Sequence, residues 1–512
     1  MTEAEQRRFN TAIQSALALY QAKEFDGVRD FMMIALRQSL TNATAWKLLG
    51  AAAAGQNKPA DASLAFRIAA LLGERDPDVL QRLAAALRDF EHPAIDVQWS
   101  SDLLRDAIEV ANENPPVQLA LLQGQFLSLE ALERKVREEA GKVIDTGDSY
   151  DDLFFNHIGD RHLVFAEQLE GFVARNPGKL AAQYMLASVR FALGKWEAGE
   201  QLFQQVYASN PNYDRAHTAR LLPAYYEKLE ADGIETILER LPTLNFWKDQ
   251  CEQDRPVLYL SCDPNYFYKF AIAMISSIDV NSPDVHVHIN IVNADPQYRE
   301  SVKAFLGRLK NVSVNASFEN FDVTDKPKAF VHGYYASCRL ARCYQCLERY
   351  RQPIMNLDVD GLNMNNARAY LESVQDFDIV QRIRPGRFDP WNQVDAAAVV
   401  INPTDAGRAY LRLVAGYVGN FALETKSSWM MDQMSLYMST IEMGRRRQAL
   451  NVGMMQEHVL DLRKTDEAVF WKTAGRQKFE QEAAIRATGA DGAPALDRYS
   501  VQFKKFNDLY TG

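Results

Sequence analysis

The spacing of hydrophobic residues divides the chain into two halves. Up to about residue 245 the apolar positions recur with the period of an α-helix. From residue 257 onward, short apolar runs alternate with helical stretches, in the order VLYLSC, YKFAIAMISSI, VHVHINIV, YRESVKAFLGRLK and VSVNASF. This alternation is typical of an α/β domain with a mostly parallel sheet. We therefore expect an all-α domain over residues 1–245, an α/β domain over 255–485 and a C-terminal extension over 486–512.

The helical half also contains a repeated pattern. In NATAWKLLGAAAAGQNKPADASLAFRIAALLGERDP, the large Trp46 is followed by the small Ala53 and then by Phe66. A second unit, LAAQYMLASVRFALGKWEAGEQLFQQVYASNP, places Gly199 and Phe203 at corresponding offsets. Small residues where paired helices touch and large residues between neighbouring pairs are the pattern of a tetratricopeptide (TPR) repeat. We expect a TPR-like helical-repeat domain whose concave face binds a partner. A plain helical bundle that supports the second half is the alternative.

Composition and charge argue against several classes of protein. The net charge of -10 argues against a nucleic-acid binder, whose affinity would come from a basic surface. No stretch approaches the roughly 20 apolar residues of a membrane-spanning helix, and the N-terminal MTEAEQRRFN has no signal-peptide core. We expect a cytoplasmic protein without a transmembrane segment. The cysteines are expected to be reduced thiols rather than a zinc site; they are Cys251, Cys262, Cys338, Cys343 and Cys346.

Two histidines alternate along the run VHVHINIV. His286 and His288 are two residues apart, so a strand places both on the same face. We expect them to be exposed residues of the sheet.

The run RQPIMNLDVDGLNMNN ends a predicted strand with two carboxylates. A strand places Asp358 and Asp360 on the same side. Because like charges this close repel each other, the pair requires either solvent or a cation. A second Asp-x-Asp spacing, at Asp376 and Asp378, precedes its apolar run instead of following it. Since ligands gather beyond the carboxyl ends of the strands of an α/β sheet, we expect the site at Asp358 and Asp360.

Three segments of the second half resemble motifs of one enzyme family. They are VLYLSCDPNYFYKFAIAMISSI, SCRLARCYQCLERYRQPIMNLDVDGL and SSWMMDQMSL. They resemble three segments of the retaining glycosyltransferases that are related to glycogenin and to lipopolysaccharide galactosyl- and glucosyltransferases. The first resembles the opening strand and helix of that family, and the second resembles its helix and strand with the Asp-x-Asp (DXD) motif. The third resembles its Asp-Gln segment. The resemblance covers residues 255 to 480. It implies a GT-A fold and retaining transfer of a hexose from a UDP-sugar, with Mn²⁺ or Mg²⁺ held by Asp358 and Asp360. Oxygen ligands suit both ions.

The resemblance also implies residues that bind the nucleotide. Cys262, Asp263 and Tyr266 would lie near the base and the ribose. The alternative for Asp263 is a turn-initiating acid before a proline. Arg339 would be the helix cation that reaches the donor, and Arg342 competes for that role.

Two further residues are implied at the reacting sugar. Asp432 and Gln433 would lie beside the anomeric carbon and stabilise or position it. Their alternative is the first turn of a helix, where an acid and its neighbour occur for structural reasons. The family's Asn-Ala-Gly segment appears here as VDAAAVVIN, with Asp395 in place of the asparagine. Contacts to the sugar are expected to differ there.

One motif of the family is broken in this chain. A late His-x-x-Gly-x-x-Lys motif, whose histidine is a metal ligand, corresponds here to KTAGRQK within FWKTAGRQKF. Gly475 and Lys478 match, but Lys472 stands in the place of the histidine, and a protonated lysine repels a metal. Either the two aspartates hold the metal alone, or Lys472 replaces part of its charge. Lys478 would neutralise the leaving diphosphate in both cases.

The whole pattern predicts a glycosyltransferase with a TPR-like N-terminal domain. The implied ligands are a nucleotide-sugar donor and a glycan or protein acceptor, which the helical domain would recruit. The alternative is a TPR-type binding or scaffold protein whose transferase domain is degenerate and inactive, a reading that the missing histidine favours.

Overall fold

The computed structural model describes most of the chain as two compact units. The described residues are 3–38, 42–72, 101, 104–105, 108, 115–140, 159–213, 223–249, 254–384, 387–473 and 497–510. Of these, the first unit contains the residues up to 140, residues 159–213, and Arg387 with Phe388; the second contains residues 223–384 and 389–510. Residues 223–245, which the sequence analysis assigned to the helical domain, thus belong to the second unit. The domain limits of 1–245, 255–485 and 486–512 stay a prediction.

The first unit is helical throughout its described part. Its described helices are α1 (Glu3–Gln21), α2 (Phe25–Gln38), α3 (Ala43–Gly55), α4 (Pro59–Leu71), α5 (Pro115–Ala140), α6 (Gly159–Arg175), α7 (Leu180–Ala192) and α8 (Trp196–Ser209). Consecutive helices pack against each other, as in the pairs α1–α2, α3–α4 and α7–α8.

The small and large residues of the repeat pattern meet where these helices pair. A Cβ atom added at Gly50 would lie 2.8 Å from the ring of Phe66, and one added at Gly199 would lie 2.6 Å from the ring of Phe191. Both glycines therefore allow an aromatic side chain of the paired helix to approach the backbone. The predicted helical-repeat class of the first unit is confirmed.

The second unit is built on a sheet of eight strands. The strands are β1 (Asn245–Phe246), β2 (Val257–Cys262), β3 (His286–Val292), β4 (Ser313–Glu319), β5 (Ile354–Leu357), β7 (Ile379–Ile383), β8 (Val394–Ile401) and β9 (Val452–Met454). Their order is β1-β4-β3-β2-β5-β8-β7-β9. The strands β4, β3, β2 and β5 run parallel to one another, and β9 runs parallel to β7. Strand β1 is antiparallel to β4, and β8 is antiparallel to both β5 and β7. A second sheet has the order β10-β11-β6, with strands β6 (Gly361–Asn363), β10 (Leu460–Asp461) and β11 (Phe470–Lys472).

Helices surround this sheet in the second unit. They are α9 (Pro223–Asp232), α10 (Ile234–Glu239), α11 (Pro264–Tyr266), α12 (Ile272–Asn281), α13 (Pro296–Leu306), α14 (Lys328–Tyr350), α15 (Ala367–Ser373), α16 (Asp405–Leu423), α17 (Met431–Arg445) and α18 (Arg498–Asp508). A π-helical turn over Phe267–Ala271 joins α11 to α12. None of the described helices combines the length and the apolar character that a membrane span requires. The all-α unit and the mostly parallel α/β unit confirm the predicted fold class.

Strands β2 and β8 are almost entirely buried, which explains their nearly continuous apolar sequences. Sheets of parallel strands are covered on both faces, so neither side of a strand can be polar without cost. The core cluster of this sheet includes the C-terminal helix α18, whose Phe503 lies 6.3 Å from Phe270, measured between ring centroids. The end of the chain therefore contributes to the core of the second unit.

The two histidines of β3 are buried, and the prediction that they are exposed was wrong. His288 contacts the hydroxyl of Tyr350 through Nδ1 at 2.6 Å and that of Ser317 through Nε2 at 3.0 Å. His286 Nδ1 lies 2.9 Å from Ser313 Oγ. The alternating pattern is that of a half-exposed strand, but both faces of β3 are covered. Burial lowers the pKa of His286 to about 4 and that of His288 well below its usual value.

We expect these histidines to make the second unit sensitive to mild acid. A histidine whose folded pKa is depressed contributes stability that is present above its unfolded pKa of about 6.5 and is lost as the pH falls toward the folded pKa. Between pH 7 and pH 5 the wild type should therefore lose about 2 kcal/mol more of its free energy of unfolding than the variant His286→Gln, as measured by urea unfolding. The exposed His458 provides the control, because His458→Gln should leave the difference unchanged. An equal pH dependence of the wild type and His286→Gln would contradict the prediction.

Candidate functional site

Two of the predicted segments lie at the same edge of the eight-stranded sheet. Strands β2 and β5 run parallel as direct neighbours, with Leu260 opposite Leu357. Asp263 follows the last residue of β2, and Asp358 follows the last residue of β5. The carboxyl ends of the two strands therefore bring both aspartates to the edge where α/β sheets usually bind ligands.

Arg339 joins two predicted acids that are far apart in the sequence. It lies on α14, and its guanidinium forms an ion pair with Asp358 Oδ1. Its Nη2 also donates to Asp432 Oδ2 at 3.1 Å and to the carbonyl of Ala396 at 2.9 Å. The Arg339 side chain is only 8% exposed. Arg339, Asp358 and Asp432 thus form one cluster, which we call the Arg339 cluster.

Arg342, the competing cation on the same helix, lies elsewhere. Its Nε donates to Glu319 Oε2 at 2.9 Å, and both side chains are 1% exposed. The hydroxyl of Tyr334 donates to the same carboxylate at 3.3 Å. Because its charge is paired with Glu319 at the end of β4, Arg342 belongs to the core of the unit and not to the Arg339 cluster.

Lys472 reaches Asp358 from the smaller sheet. Strand β11 pairs antiparallel with β6, and Lys472 lies opposite Gly361, the residue after the Asp-x-Asp pair. A Cβ atom at Gly361 would lie 2.8 Å from the carbonyl oxygen of Trp471, so only glycine allows the two strands to approach this closely. Lys472 Nζ lies 3.3 Å from Asp358 Oδ2 and 3.8 Å from Asp395 Oδ1.

Asp395 brings two arginines to this edge that the sequence analysis did not identify. Arg384 Nη2 lies 3.0 Å and Arg382 Nη1 lies 3.4 Å from Asp395 Oδ2. The register between β7 and β8 shifts between Gln381 and Arg382. Such irregularities change the direction of the following side chains and are common next to functional sites. The charged QRIR sequence at the end of β7 is the one signal that points to these arginines in the sequence.

The carboxylates of the edge differ in their pKa although they lie close together. Burial would raise the pKa of Asp358, but the charges of Arg339 and Lys472 outweigh it and lower the pKa. Burial likewise opposes ionisation of Asp395, but Lys472 and Arg384 lower its pKa to about 2. Burial raises the pKa of Asp432, and the charge of Asp358 also opposes its ionisation. Arg339, its one cationic partner among the described residues, lowers this pKa too little to compensate. Lys472 therefore accounts for much of the difference.

The described residues do not fit a divalent ion. No group of three or more histidine, cysteine, aspartate or glutamate residues suited to a metal occurs in the described part of the chain. Each carboxylate oxygen of Asp358 faces a cation, either Arg339 or Lys472. Asp360 is buried beside them, and its peptide carbonyl accepts from Thr473 Oγ1 at 3.3 Å. A metal would have to displace an ammonium group to reach Asp358.

The residues predicted near the base lie around the short helix α11. Asp263 is the N-cap of this helix, and its Oδ1 accepts from the backbone N–H of Tyr266 at 2.8 Å. This is the turn-forming position that the alternative interpretation gives it. The ring of Tyr266 is partly buried and lies 5.2 Å from that of Phe270. The Cys262 thiol is buried, and burial raises its pKa. Contact of these residues with a nucleotide stays a prediction.

Asp432 and Gln433 lie in the first turn of α17, as their alternative interpretation also requires. The loop before them is held by close packing, since a Cβ atom at Gly333 would lie 2.5 Å from the backbone nitrogen of Ser428. Met430 has a φ angle of 73°, a left-handed conformation that is strained for a non-glycine residue. The buried Oε1 of Gln433 has no hydrogen-bond partner among the described residues.

One predicted site residue lies outside the described part of the chain. Lys478, and the Gly475 that precedes it in the same motif, fall in residues 474–496, which the structure does not describe. The role of Lys478 therefore stays a prediction. The structure brings together Arg339, Asp358, Asp432 and Lys472 from four separate segments of the sequence.

Gly361→Ala tests how Lys472 is positioned. The new methyl group would meet the backbone oxygen of Trp471, so β6 and β11 must separate. We expect a loss of about 1–3 kcal/mol in the free energy of unfolding, the range of overpacking substitutions. Gly178→Ala is a control on an open position, where an added Cβ atom meets nothing within 4 Å. Urea unfolding would measure the loss, and a Gly361→Ala variant as stable as Gly178→Ala would contradict the close approach of the two strands.

Comparison with known proteins finds similarity in solved structures. No family model matches the chain, and no curated protein matches it. The TPR protein YrrB, described as having an unusual peptide-binding site, is 15% identical over 43% of this chain and 98% of its own, with a TM-score of 0.30. The galactosyltransferase LgtC, solved with donor and acceptor sugar analogues, is 14% identical over 50% of this chain and 96% of its own, with a TM-score of 0.32. The glycosyltransferase GlyE of Streptococcus pneumoniae is 8% identical over 50% of this chain and 61% of its own, with a TM-score of 0.32.

Proposed function

We propose that the second unit is a glycosyltransferase that moves a hexose from a UDP-sugar to a hydroxyl group of a glycan or protein acceptor, with retention at the anomeric carbon. The observation that carries the proposal is the Arg339 cluster at the carboxyl edge of the sheet, with Lys472 beside it. Arg339 and Asp432 are buried, Asp358 and Lys472 are partly buried, and charges removed from water in this way are costly to assemble unless they are paired or used. The donor sugar and the retention come from the resemblance of the motifs.

The proposed reaction requires positive charge near the diphosphate. The bond between the anomeric carbon and the β-phosphate oxygen breaks, and its electron pair stays on the phosphate. Fixed cations close to the leaving group stabilise this charge without reorganising during the reaction. Lys472 and Arg339 are the described cations nearest to Asp358, and Lys478 is proposed to assist them. No step is assigned to a divalent ion, because the described residues do not fit one.

The second half of the reaction takes place at the sugar. An acceptor hydroxyl oxygen forms a bond to the anomeric carbon on the face that UDP leaves, and its proton passes to the departing phosphate. We assign Asp432 to stabilise the positive charge that develops on the sugar ring. We assign the buried Oε1 of Gln433 to accept a hydrogen bond from a sugar hydroxyl, since an unpaired buried oxygen is costly until a ligand satisfies it.

The remaining predicted residues are assigned to the nucleotide. Asp263 has one carboxylate oxygen bonded to the N–H of Tyr266, and its other oxygen is proposed to accept from the ribose or the base. Tyr266 is proposed to stack on the uracil, with Cys262 beneath it. Asp360 is proposed to accept from the sugar or the ribose. The TPR-like unit is proposed to bind the acceptor.

A screen of nucleotide-sugar hydrolysis tests the proposal. We expect the full chain to hydrolyse one UDP-hexose faster than the others, and Asp432→Asn to lower that rate about 10²-fold, the size of effect seen when one electrostatic contact of a transition state is removed. Asp376→Asn, at the exposed acid of the second Asp-x-Asp spacing, is the matched control and should keep the rate. Equal rates for the wild type and Asp432→Asn would contradict the role of Asp432.

A binding protein with an inactive transferase domain is the second candidate. The pairing of Asp358 with two cations favours it, because these contacts would stabilise the fold without any ligand. Calorimetry with UDP separates the two functions. An unused site should not bind UDP under any ionic condition, whereas an active transferase should.

A further inference from the structure

Lys472 is positioned by the backbone and not by a flexible loop. Its strand β11 is fixed in register against β6, with Lys472 opposite Gly361 and Trp471 opposite Leu362. Trp471 is buried and donates from Nε1 to the carbonyl of Thr465 at 2.6 Å. The side chain of Lys472 is 14% exposed, with its ammonium group 3.3 Å from Asp358 Oδ2. A charge held in this way does not have to be reoriented when a ligand arrives.

The charges at this edge are balanced without any added ion. Among the described residues, the acids that form ion pairs here are Asp358, Asp395 and Asp432, and the cations that pair with them are Arg339, Lys472, Arg382 and Arg384. Four positive charges thus face three negative ones, with Asp360 as the fourth acid nearby. Sites for divalent ions contain an excess of carboxylate oxygens. A cluster whose carboxylates are already paired with cations offers a divalent ion no such excess, whereas the ammonium group of Lys472 presents N–H donors to a diphosphate.

The hydrogen-bond donors of Lys472 distinguish it from Arg339. Both Nη nitrogens of Arg339 are engaged by Asp358, Asp432 and the Ala396 carbonyl. The ammonium group of Lys472 has three N–H donors. Its Nζ lies within hydrogen-bonding distance of Asp358 Oδ2, at 3.3 Å, whereas Asp395 Oδ1 is farther away, at 3.8 Å. Among the described residues, Lys472 thus has N–H donors left for a phosphate oxygen. Arg339 holds the acids in place through both Nη nitrogens, and its remaining donor, Nε, is buried.

From this geometry we infer that Lys472 takes the place of a divalent metal, so that the chain binds its diphosphate donor and transfers the sugar without Mn²⁺ or Mg²⁺. This inference rests on the proposed function. Lys472 Nζ donates to the diphosphate and stabilises the charge that the departing phosphate gains. Asp358 and Asp395 hold the ammonium group at that position. Asp395, which stands in place of an asparagine, adds the negative charge that matches the lysine.

Calorimetric titration of the full chain with UDP tests the inference. One titration contains EDTA and the other contains Mn²⁺ without chelator. We expect the two dissociation constants to agree within about three-fold, well below the factor of ten that corresponds to about 1.4 kcal/mol. UDP binding that requires Mn²⁺ would overturn the inference and leave the proposed glycosyltransferase intact. Failure to bind UDP in both buffers would remove the proposed function as well, so the two failures are distinguishable.

A pair of lysine variants tests the residue itself. Lys472→Met removes the charge and should weaken UDP binding in EDTA at least ten-fold, whereas Lys504→Met, at an exposed lysine paired with Asp508 on α18, should not change it. Circular dichroism checks that both variants are folded. An unchanged UDP affinity in a folded Lys472→Met variant would overturn the assignment. If Lys472→Met does not fold, the comparison of EDTA with Mn²⁺ in the wild type still decides the inference.

Discussion

Replacing Arg339 with methionine is expected to lower the free energy of unfolding of the second unit by about 3–5 kcal/mol and to abolish the proposed sugar transfer. The guanidinium is 8% exposed and pairs with both Asp358 and Asp432. Without it, Asp432 would keep no described cationic partner, and an unpaired buried charge is among the most destabilising features in a protein. Urea unfolding would measure the loss, and hydrogen exchange of the amides of α14 would locate it.

Two comparisons make this result specific. Arg368→Met removes an exposed arginine that pairs with Glu372 four residues away, and should change the stability by no more than about 0.5 kcal/mol. Adding Asp432→Asn to Arg339→Met removes one of the unpaired charges, so the double variant should recover part of the lost stability but none of the transfer activity. An Arg339→Met variant as stable as Arg368→Met would contradict the assigned pairing.

The sequence predicted that Asp263 and Asp358 follow strands, but it did not predict the contacts of the candidate site. The apolar run before Asp358 and the strand that ends before Asp263 identify two carboxyl ends, and parallel order places them together. The choice between Arg339 and Arg342 was not available from sequence. Residues three apart on a helix lie on neighbouring parts of one face, so the spacing fits both. The packing of the unit distinguishes the two arginines, because Arg342 forms its ion pair with Glu319 at the end of β4.

The two positions at which the chain differs from the motifs it resembles are neighbours in the structure. Taken separately, Lys472 at the histidine position of the resembled motif suggests a missing metal ligand, and Asp395 at the asparagine position suggests a different sugar contact. Their charged groups lie 3.8 Å apart, so the added positive charge has an added negative charge as its neighbour. The sequence did not reveal this because residues 395 and 472 come together only through β8 and the pairing of β11 with β6.

Glu319→Gln is expected to have the largest effect on stability among variants outside the site. It leaves the guanidinium of Arg342, which is 1% exposed, without its carboxylate partner. Breaking one side of such a buried pair typically costs about 3–5 kcal/mol. In hydrogen exchange, the free energy of opening of the amides in α14 and β4 should therefore fall by the same amount. The affinity of the folded protein for UDP should be unchanged, because the pair is not part of the Arg339 cluster.

The double variant Glu319→Gln with Arg342→Met separates the cost of the unpaired charge from the value of the pair. Replacing both partners of a buried ion pair with uncharged residues is often nearly neutral, whereas removing one partner is not. The double variant should thus be more stable than Glu319→Gln alone, even though it carries one more substitution. If instead the two losses add, the contacts that Arg342 makes with the Gln345 side chain and the Pro242 carbonyl, at 2.9 and 2.7 Å, contribute more to stability than its charge pairing does.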